Sequence, residues 1–173
     1  GIFNLVIEKK PETQLILAGR DVIDIFEKES TLNLFRKKLS KNALSHLDYR
    51  GVLDYNEIQE LIKQVNLVVL PSFAEAFPMT WLETMALEKP LISSNIGWAK
   101  EIMIDSKTGY AIDPKAHQVY ADRLLKIMDN PELGKNLGKQ ARTHLTYHFS
   151  YKVIVKESII FYERKINDKT NKE

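Results

Sequence analysis

The stretch SFAEAFPMTWLETMALEKP, residues 72–90, decides the fold of this 173-residue chain. It follows an aliphatic run at residues 67–70, which is too short for a helix and has the β-branched content of a strand buried on both faces, as in parallel sheets. Pro78 suits the first position of a helix, because its fixed φ fits the helix and its missing N–H would have been unpaired there. A helix is therefore predicted over residues 78–88, with Trp81 on its core face.

The turn between this strand and this helix predicts an anion site. The backbone N–H groups of Met79 and Thr80 would lie free at the carboxyl end of the sheet, with the positive end of the helix dipole behind them, which favours a phosphate. Two carboxylates border the position, Glu75 in the loop and Glu83 on the helix, and they would accept hydroxyl groups rather than bind phosphate. Spacing alone does not separate this interpretation from two solvated surface charges.

The residues in and beyond this stretch occur in a distinctive order. They are Pro71, Ser72, Glu75, Phe77, Pro78, Glu83, Met85, Ala86, Lys89 and Pro90, then SSNIG at residues 93–97, Glu101, Ile102, Asp105, Thr108, Gly109, Asp113 and Pro114. This order resembles the signature of the retaining glycosyltransferases of family 4, and the resemblance covers most of residues 13–166. It implies the C-terminal, donor-binding half of the GT-B fold, which moves a sugar from a nucleotide diphosphate without a metal.

The resemblance implies a role for each carboxylate and for one further loop. Glu75 would face the donor sugar, near the oxocarbenium-like charge that develops there, without acting as a covalent nucleophile. Glu83 would hold the ribose hydroxyls. The loop of Arg50, Gly51 and Val52 would lie beneath the nucleotide base and contact it mainly through backbone atoms. From the residues alone, Gly51 is equally a turn glycine, and Arg50 is free to pair with phosphate or with nothing.

The chain departs from the family pattern in the loop before the helix. Many members carry glycine where this chain has Ala76 and Pro78. Because Pro78 lacks an N–H group, donor binding would depend on the N–H groups of Phe77, Met79 and Thr80.

Composition limits the class of the protein. The hydrophobic content of 44% and the formal net charge of +2 indicate one α/β domain of ordinary size, and the balance of charge argues against a nucleic-acid partner. The chain has no Cys, which excludes disulfides and thiolate metal sites, and its four His are mostly scattered along the sequence. We therefore expect neither a metal nor a cofactor. No apolar run reaches membrane length, so a cytoplasmic protein is expected, with peripheral attachment at the inner membrane face as an extension for the full-length enzyme.

Strand and helix patterns alternate along the chain. They predict a Rossmann-like parallel sheet with helices on both faces. Residues 1–166 would form one nucleotide-sugar-binding domain, and residues 167–173 a disordered polar tail. Strands are predicted at residues 14–18, 47–52, 67–70, 90–93 and 109–112. A helix is predicted at the start of the chain. Residues 21–46 are predicted to form two helices, the first capped by Asp21, with a break near Ser30. Further helices are predicted after Asp54, where Glu57 would complete a capping box, over 99–104, after Asp113, after Asn130 and after Ser150.

The chain opens without Met inside an apolar helical pattern, which predicts a fragment. In the resembling enzymes, a preceding strand and loop carry an Arg and a Lys for the diphosphate, and an N-terminal domain binds the glycan or lipid-linked acceptor. We therefore expect the isolated chain to bind a donor weakly, to transfer no sugar, and to self-associate through unpaired strand edges.

Two other classes of function stay open. A non-catalytic nucleotide- or sugar-binding module could keep the same fold. The presence of both Glu75 and Glu83 favours the enzyme, because a module bound only through its backbone would not require both. A flavodoxin-like or receiver domain is disfavoured, since a receiver needs clustered acidic residues at its strand ends and these strands end in small residues or Pro71.

Overall fold

The computed structural model describes the backbone of residues 1–170 and the side chains of residues 1–167. Strands and helices alternate along this part of the chain. The strands are β1 (Leu15–Ala18), β2 (Leu47–Gly51), β3 (Val68–Leu70), β4 (Leu91–Ser94) and β5 (Tyr110–Ile112). The helices are α1 (Ile2–Lys9), α2 (Thr31–Lys37), α3 (Lys41–Ser45), α4 (Tyr55–Gln64), α5 (Met79–Ala86), α6 (Ala99–Ile102), α7 (His117–Asp129), α8 (Pro131–Phe149) and α9 (Tyr151–Thr170).

The strands of the described residues form two parallel sheets. β1 pairs with β2, and β3, β4 and β5 pair in that order in the second sheet. Helices connect the successive strands, as parallel pairing requires. The carboxyl ends of β3, β4 and β5 therefore lie at one edge, where ligands bind in folds of this kind. The predicted class, a Rossmann-like parallel α/β fold, is confirmed.

The three-stranded sheet separates two hydrophobic cores. Val69 and Ile92 belong to the core that α1 and α7 cover on one face. Val68 and Leu91 belong to the core that α5, α6 and α8 cover on the other face. Successive strand residues point to opposite faces of a sheet, so an uninterrupted aliphatic strand supplies both cores. The central strand β4 is accordingly buried along its whole length.

The strands β1 and β3 are less buried than their sequences predict. Every residue in both strands is half-buried, although all are aliphatic or Ala. Each of these strands is also paired on one side only within the described residues. Each of these strands thus keeps one hydrogen-bonding edge that is unpaired in the described structure.

The segment before α2 corrects a predicted helix. Val22, Ile25 and Phe26 have helical spacing, yet the segment is a closed turn in which Ile23 forms an antiparallel bridge with Ser30. The carboxylate of Asp24 accepts hydrogen bonds from the N–H groups of Phe26 and Glu27, at 2.9 and 2.8 Å. Short acidic side chains compete in this way with helical hydrogen bonding.

The cap of α2 also differs from the prediction, again because an acidic side chain binds local backbone N–H groups. Ser30 is the N-cap, and its Oγ accepts a hydrogen bond from Asn33 N–H. Asp21 is not the cap of a helix over the following residues. Its carboxylate instead accepts hydrogen bonds from Leu32 N–H and from the hydroxyls of Ser30 and Thr31, which lower the pKa of Asp21. The break between the two helices lies after α2, not near Ser30.

Other predicted helix starts are confirmed or displaced by a few residues. Asp54 and Glu57 form the predicted capping box, and Asn130 caps α8 with a proline in the first turn. Pro78 is the N-cap of α5 rather than its first residue, because its ψ of 102° is extended, and α5 ends at Ala86. Asp113 caps a turn through Lys115 N–H, and α7 begins only at His117.

The last helix begins directly after Ser150, as predicted. α9 continues to Thr170 and so extends into the segment predicted as a polar tail, while residues 171–173 lie outside the described residues. Among the helices of the described residues, none combines the length and the hydropathy that a bilayer span requires.

Candidate functional site

The loop from β3 to α5 lies at the carboxyl edge of the three-stranded sheet and carries Glu75. Glu75 is half-buried, and its Oε1 accepts a hydrogen bond of 2.6 Å from Ser72 Oγ. A hydrogen bond to a carboxylate is charge-assisted and therefore orients the group within its loop. Sequence reasoning missed this role of Ser72. The signal was present as a hydroxyl residue three positions before a glutamate, the spacing that also closes capping boxes.

The start of α5 presents free backbone donors. The N–H groups of Phe77, Met79 and Thr80 donate no hydrogen bond to any described residue. Trp81 N–H donates to the carbonyl of Pro78 at 3.1 Å, so the proline costs the helix no internal hydrogen bond. The free donors and the helix dipole together make this end of α5 electropositive.

Glu83 lies about one helical turn into α5, a helix that is anchored by its buried face. Trp81, Thr84 and Met85 are buried, and Thr84 Oγ1 donates a 2.7 Å hydrogen bond to the carbonyl of Thr80. Glu83 itself is half-buried, and its carboxylate has no hydrogen bond or ion pair with the described residues. It is therefore available to a ligand.

The loop of Arg50, Gly51 and Val52 lies at the carboxyl end of β2, in the other sheet. Arg50 pairs with Asp48, whose Oδ2 lies 2.8 Å from Arg50 Nε and 2.7 Å from Nη2. In the described structure the partner of Arg50 is thus Asp48, in an exposed pair. Gly51 has φ +68° and accepts a hydrogen bond from Gly19 N–H, and Val52 is exposed. The structure thus gathers Glu75, the free donors and Glu83 around one loop and helix, and places residues 50–52 on a different sheet.

Aromatic rings at the end of α8 contact the Glu75 loop. The ring centroid of Phe77 lies 6.3 Å from that of Phe149. His144 lies 6.0 Å from Phe149 and 4.5 Å from His148. Burial, and secondarily the neighbouring charge of His148, lower the pKa of His144 and favour its neutral form.

The chemistry available at this edge follows from these groups. Free N–H donors at a helix start suit an oxyanion such as a phosphate. Half-buried carboxylates suit hydroxyl groups, to which they are strong acceptors. Within the described residues, no three His, Asp or Glu side chains are grouped so that they could hold a metal ion.

Comparisons with known proteins agree with this fold. The glycosyltransferase MJ1178 of Methanocaldococcus jannaschii, described as uncharacterized, is 31% identical over 102 residues, which are 59% of this chain and 29% of that protein. The sucrose-phosphate synthase of Thermosynechococcus elongatus has the same fold, with a TM-score of 0.77 at 20% identity over 96% of this chain and 43% of that one. The Anabaena protein HepE, solved in complex with UDP, gives a TM-score of 0.75 at 17% identity over 93% of this chain and 44% of its own.

The chain spans less than half the length of each of these proteins. The fold that it shares with the two solved structures is that of the Rossmann-like C-terminal domain of GT-B enzymes. Residues 2–144, most of the chain, match the family described as glycosyl transferases group 1. The chain therefore belongs to the group 1 family of glycosyl transferases.

Proposed function

We propose that this chain is the donor-binding part of a glycosyltransferase that moves a sugar from a nucleotide diphosphate to a glycan or lipid-linked acceptor, with retention and without a metal. One observation carries the proposal. Three backbone N–H groups that have no partner among the described residues stand in and just before the first turn of α5, and two half-buried carboxylates lie on the same loop and helix. The free donors fit the diphosphate, and the carboxylates fit the hydroxyls of the sugar and the ribose.

In this proposal the N–H groups of Phe77, Met79 and Thr80 bind the diphosphate as it departs. Negative charge grows on the leaving diphosphate in the transition state, so donors that are already oriented stabilise it without reorganisation. These donors belong to a loop and helix whose next turn is anchored in the core by Trp81 and Met85. Their positions therefore depend little on the ligand.

Glu75 faces the sugar ring, which becomes positively charged when the diphosphate leaves. A carboxylate near the ring favours that charge electrostatically. The hydrogen bond from Ser72 supports this role, because it holds the carboxylate in one orientation before a ligand arrives.

Glu83 accepts hydrogen bonds from the ribose hydroxyls, and the loop of Arg50, Gly51 and Val52 lies beneath the base. The free carboxylate of Glu83 supports the first role, and the exposed backbone turn at Gly51 supports the second. Because Arg50 already pairs with Asp48, its contribution is through the backbone. The UDP complex of the structurally similar HepE is consistent with a uridine nucleotide as the first donor to test.

The test is to replace Glu75 by Gln in the full-length protein and to measure sugar turnover and nucleoside diphosphate affinity separately. We expect turnover to fall by about 100-fold or more, the usual loss for one electrostatic group in a transition state. Affinity for the diphosphate, which carries no sugar, should stay within about twofold to threefold. Calorimetry with the full-length protein gives this affinity.

A matched control is Glu88→Gln, which removes an exposed carboxylate just after the other end of α5. It should change neither turnover nor affinity. Equal losses of turnover and affinity for Glu75→Gln would place this residue at the nucleotide. A wild-type protein that binds nucleotide sugars and never turns them over would instead show a non-catalytic binding module.

A further inference from the structure

Gly97 lies against the backbone of the Glu75 loop more closely than any other residue type permits. A Cβ atom at this position would stand 2.6 Å from the carbonyl oxygen of Glu75 and 3.7 Å from its carbonyl carbon. Non-bonded contacts of carbon are optimal near 3.5–4.0 Å, so a separation of 2.6 Å is excluded. Gly97 also has φ +51°, in the left-handed region that glycine adopts without strain.

The loop that carries Gly97 is itself fixed by the core. It connects β4, which is buried throughout, to α6, in which Ala99 and Ile102 are buried against Trp81 and Met85. The loop is therefore anchored in the core at both ends, while Gly97 itself is exposed beside Glu75.

A second support reaches the same loop from another element. Phe77 packs on Phe149 at the end of α8, and Phe149 packs on His144 and on the core that contains Trp81. The Glu75 loop is thus held by Gly97 from the β4–α6 connection and by Phe149 from α8. Neither support contacts the free N–H groups of α5 through any hydrogen bond in the described structure.

We propose that Gly97 is a positioning residue that sets where the Glu75 carboxylate meets the sugar, so that the β4–α6 loop controls turnover without touching the nucleotide. This inference rests on the proposed function of Glu75. A methyl group at Gly97 has to gain about 0.8 Å to reach an ordinary contact distance from the Glu75 carbonyl. The partner atom is backbone, so the two loops must move apart, and we expect the longer Glu75 loop to take most of the shift while α5 remains anchored by its buried face.

The test is to compare Gly97→Ala and Gly97→Asn with the wild type in the full-length protein. Displacement of a catalytic group by nearly 1 Å costs up to about 100-fold, so we expect kcat to fall roughly 10- to 100-fold in both variants. The affinity for nucleoside diphosphate, measured by calorimetry, should change by less than about threefold. The stoichiometry of that titration also counts the folded fraction of each variant.

The two variants separate the contact with Glu75 from backbone strain. Asn tolerates a positive φ well and Ala does not, but both carry the Cβ that meets the Glu75 carbonyl. Equal losses in kcat support the contact. If Gly97→Asn keeps the wild-type kcat and only Gly97→Ala loses it, the effect is due to backbone strain and the proposal is overturned.

Gly109 provides a matched control at the opposite edge of the sheet. It also has a positive φ, of +150°, and a Cβ there would lie 2.6 Å from a backbone carbonyl, that of Leu91 at the start of β4. Gly109→Ala should lower stability, but the folded fraction should keep the wild-type kcat. A loss of kcat as large as that of the Gly97 variants would show a general effect of destabilisation and overturn the proposal.

A parallel Glu75→Ala variant separates the proposed role of Glu75 from the positioning role of Gly97. If Glu75→Ala abolishes turnover and the Gly97 variants keep it, the positioning role is wrong and the role of Glu75 stands. If Glu75→Ala keeps full turnover, the proposed role of Glu75 is wrong, and a role for Gly97 through it falls as well.

Discussion

Gly138 allows α8 to pack closely against the turn that follows α5. A Cβ at this position would stand 1.9 Å from the carbonyl oxygen of Glu88 and 2.5 Å from its carbonyl carbon. Glu88 cannot easily retreat, because the N–H groups of Glu88 and Lys89 donate hydrogen bonds to the carbonyls of Met85 and Thr84 in α5. We expect Gly138→Ala to force α8 away from α5, the helix that carries Glu83.

The magnitude of this effect is the balance of two opposing terms. Replacing glycine by alanine inside a helix stabilises it by about 1 kcal/mol. Overpacking costs about 1–3 kcal/mol, and a backbone partner at 1.9 Å places Gly138→Ala at the upper end of that range. The net expectation is a destabilisation of about 2 kcal/mol, which for a chain of this size lowers Tm by about 4–8 °C.

Gly134 supplies the matched control one turn earlier on the same helix. The nearest atoms to a Cβ there are Ile127 Cγ2 at 3.2 Å and Pro90 Cγ at 3.6 Å, both in side chains. A side chain can move by the few tenths of an ångström that are needed, so the gain in helix propensity remains. Gly134→Ala should change the free energy of unfolding by between zero and about 1 kcal/mol of stabilisation.

The assay is a urea titration of the three proteins, followed by far-UV circular dichroism. The midpoint should fall for Gly138→Ala and should stay or rise for Gly134→Ala, with the slope m unchanged in both. If both variants shift the midpoint in the same direction by similar amounts, the close approach of α8 to Glu88 is wrong.

Three further predictions concern binding, pH and association. Glu83→Ala should weaken nucleoside diphosphate binding about tenfold or more, because charge-assisted hydrogen bonds to the ribose are lost; unchanged affinity by calorimetry would contradict this. Because burial and His148 lower the pKa of His144, the unfolded chain binds the proton more readily, and stability should fall as the pH drops below about 6.5. His148→Gln should lessen that fall in pH-dependent urea titrations. The half-buried strands β1 and β3, each paired on one side, lead us to expect concentration-dependent self-association, and a monomer at every concentration in sedimentation would refute it.

Several parts of the fold follow from local chemistry and were predictable from the sequence. Aliphatic runs bounded by Gly or Pro became β1 and β3, and the run after Pro90 became β4; alternate residues of β3 and β4 enter the cores on both faces of their sheet. The caps at Asp54 and Asn130 form hydrogen bonds with residues three positions ahead, so a short window of sequence contains the whole interaction. The loop with Glu75 and the helix with Glu83 were likewise predicted from a short window of sequence.

Local pattern was ambiguous where two local interactions compete. Residues 22–26 have helical spacing, but the carboxylate of Asp24 captures the N–H groups that a helix would use. Pro78 is compatible both with the first position of a helix and with its N-cap, and only its ψ distinguishes them. Sequence cannot rank such alternatives, because their energies differ by about 1 kcal/mol or less.

The tertiary structure alone decided which distant residues meet. Nothing in the sequence around Gly97 indicates that its missing side chain leaves room for the carbonyl of Glu75, or that Phe149 supports Phe77. The division of the strands into two sheets, with residues 50–52 on one and Glu75 on the other, is equally a property of the packed chain. Local hydrogen bonds and side-chain periods determine which elements form, whereas contacts between remote segments depend on how every element packs at once, and no single stretch of sequence contains that information.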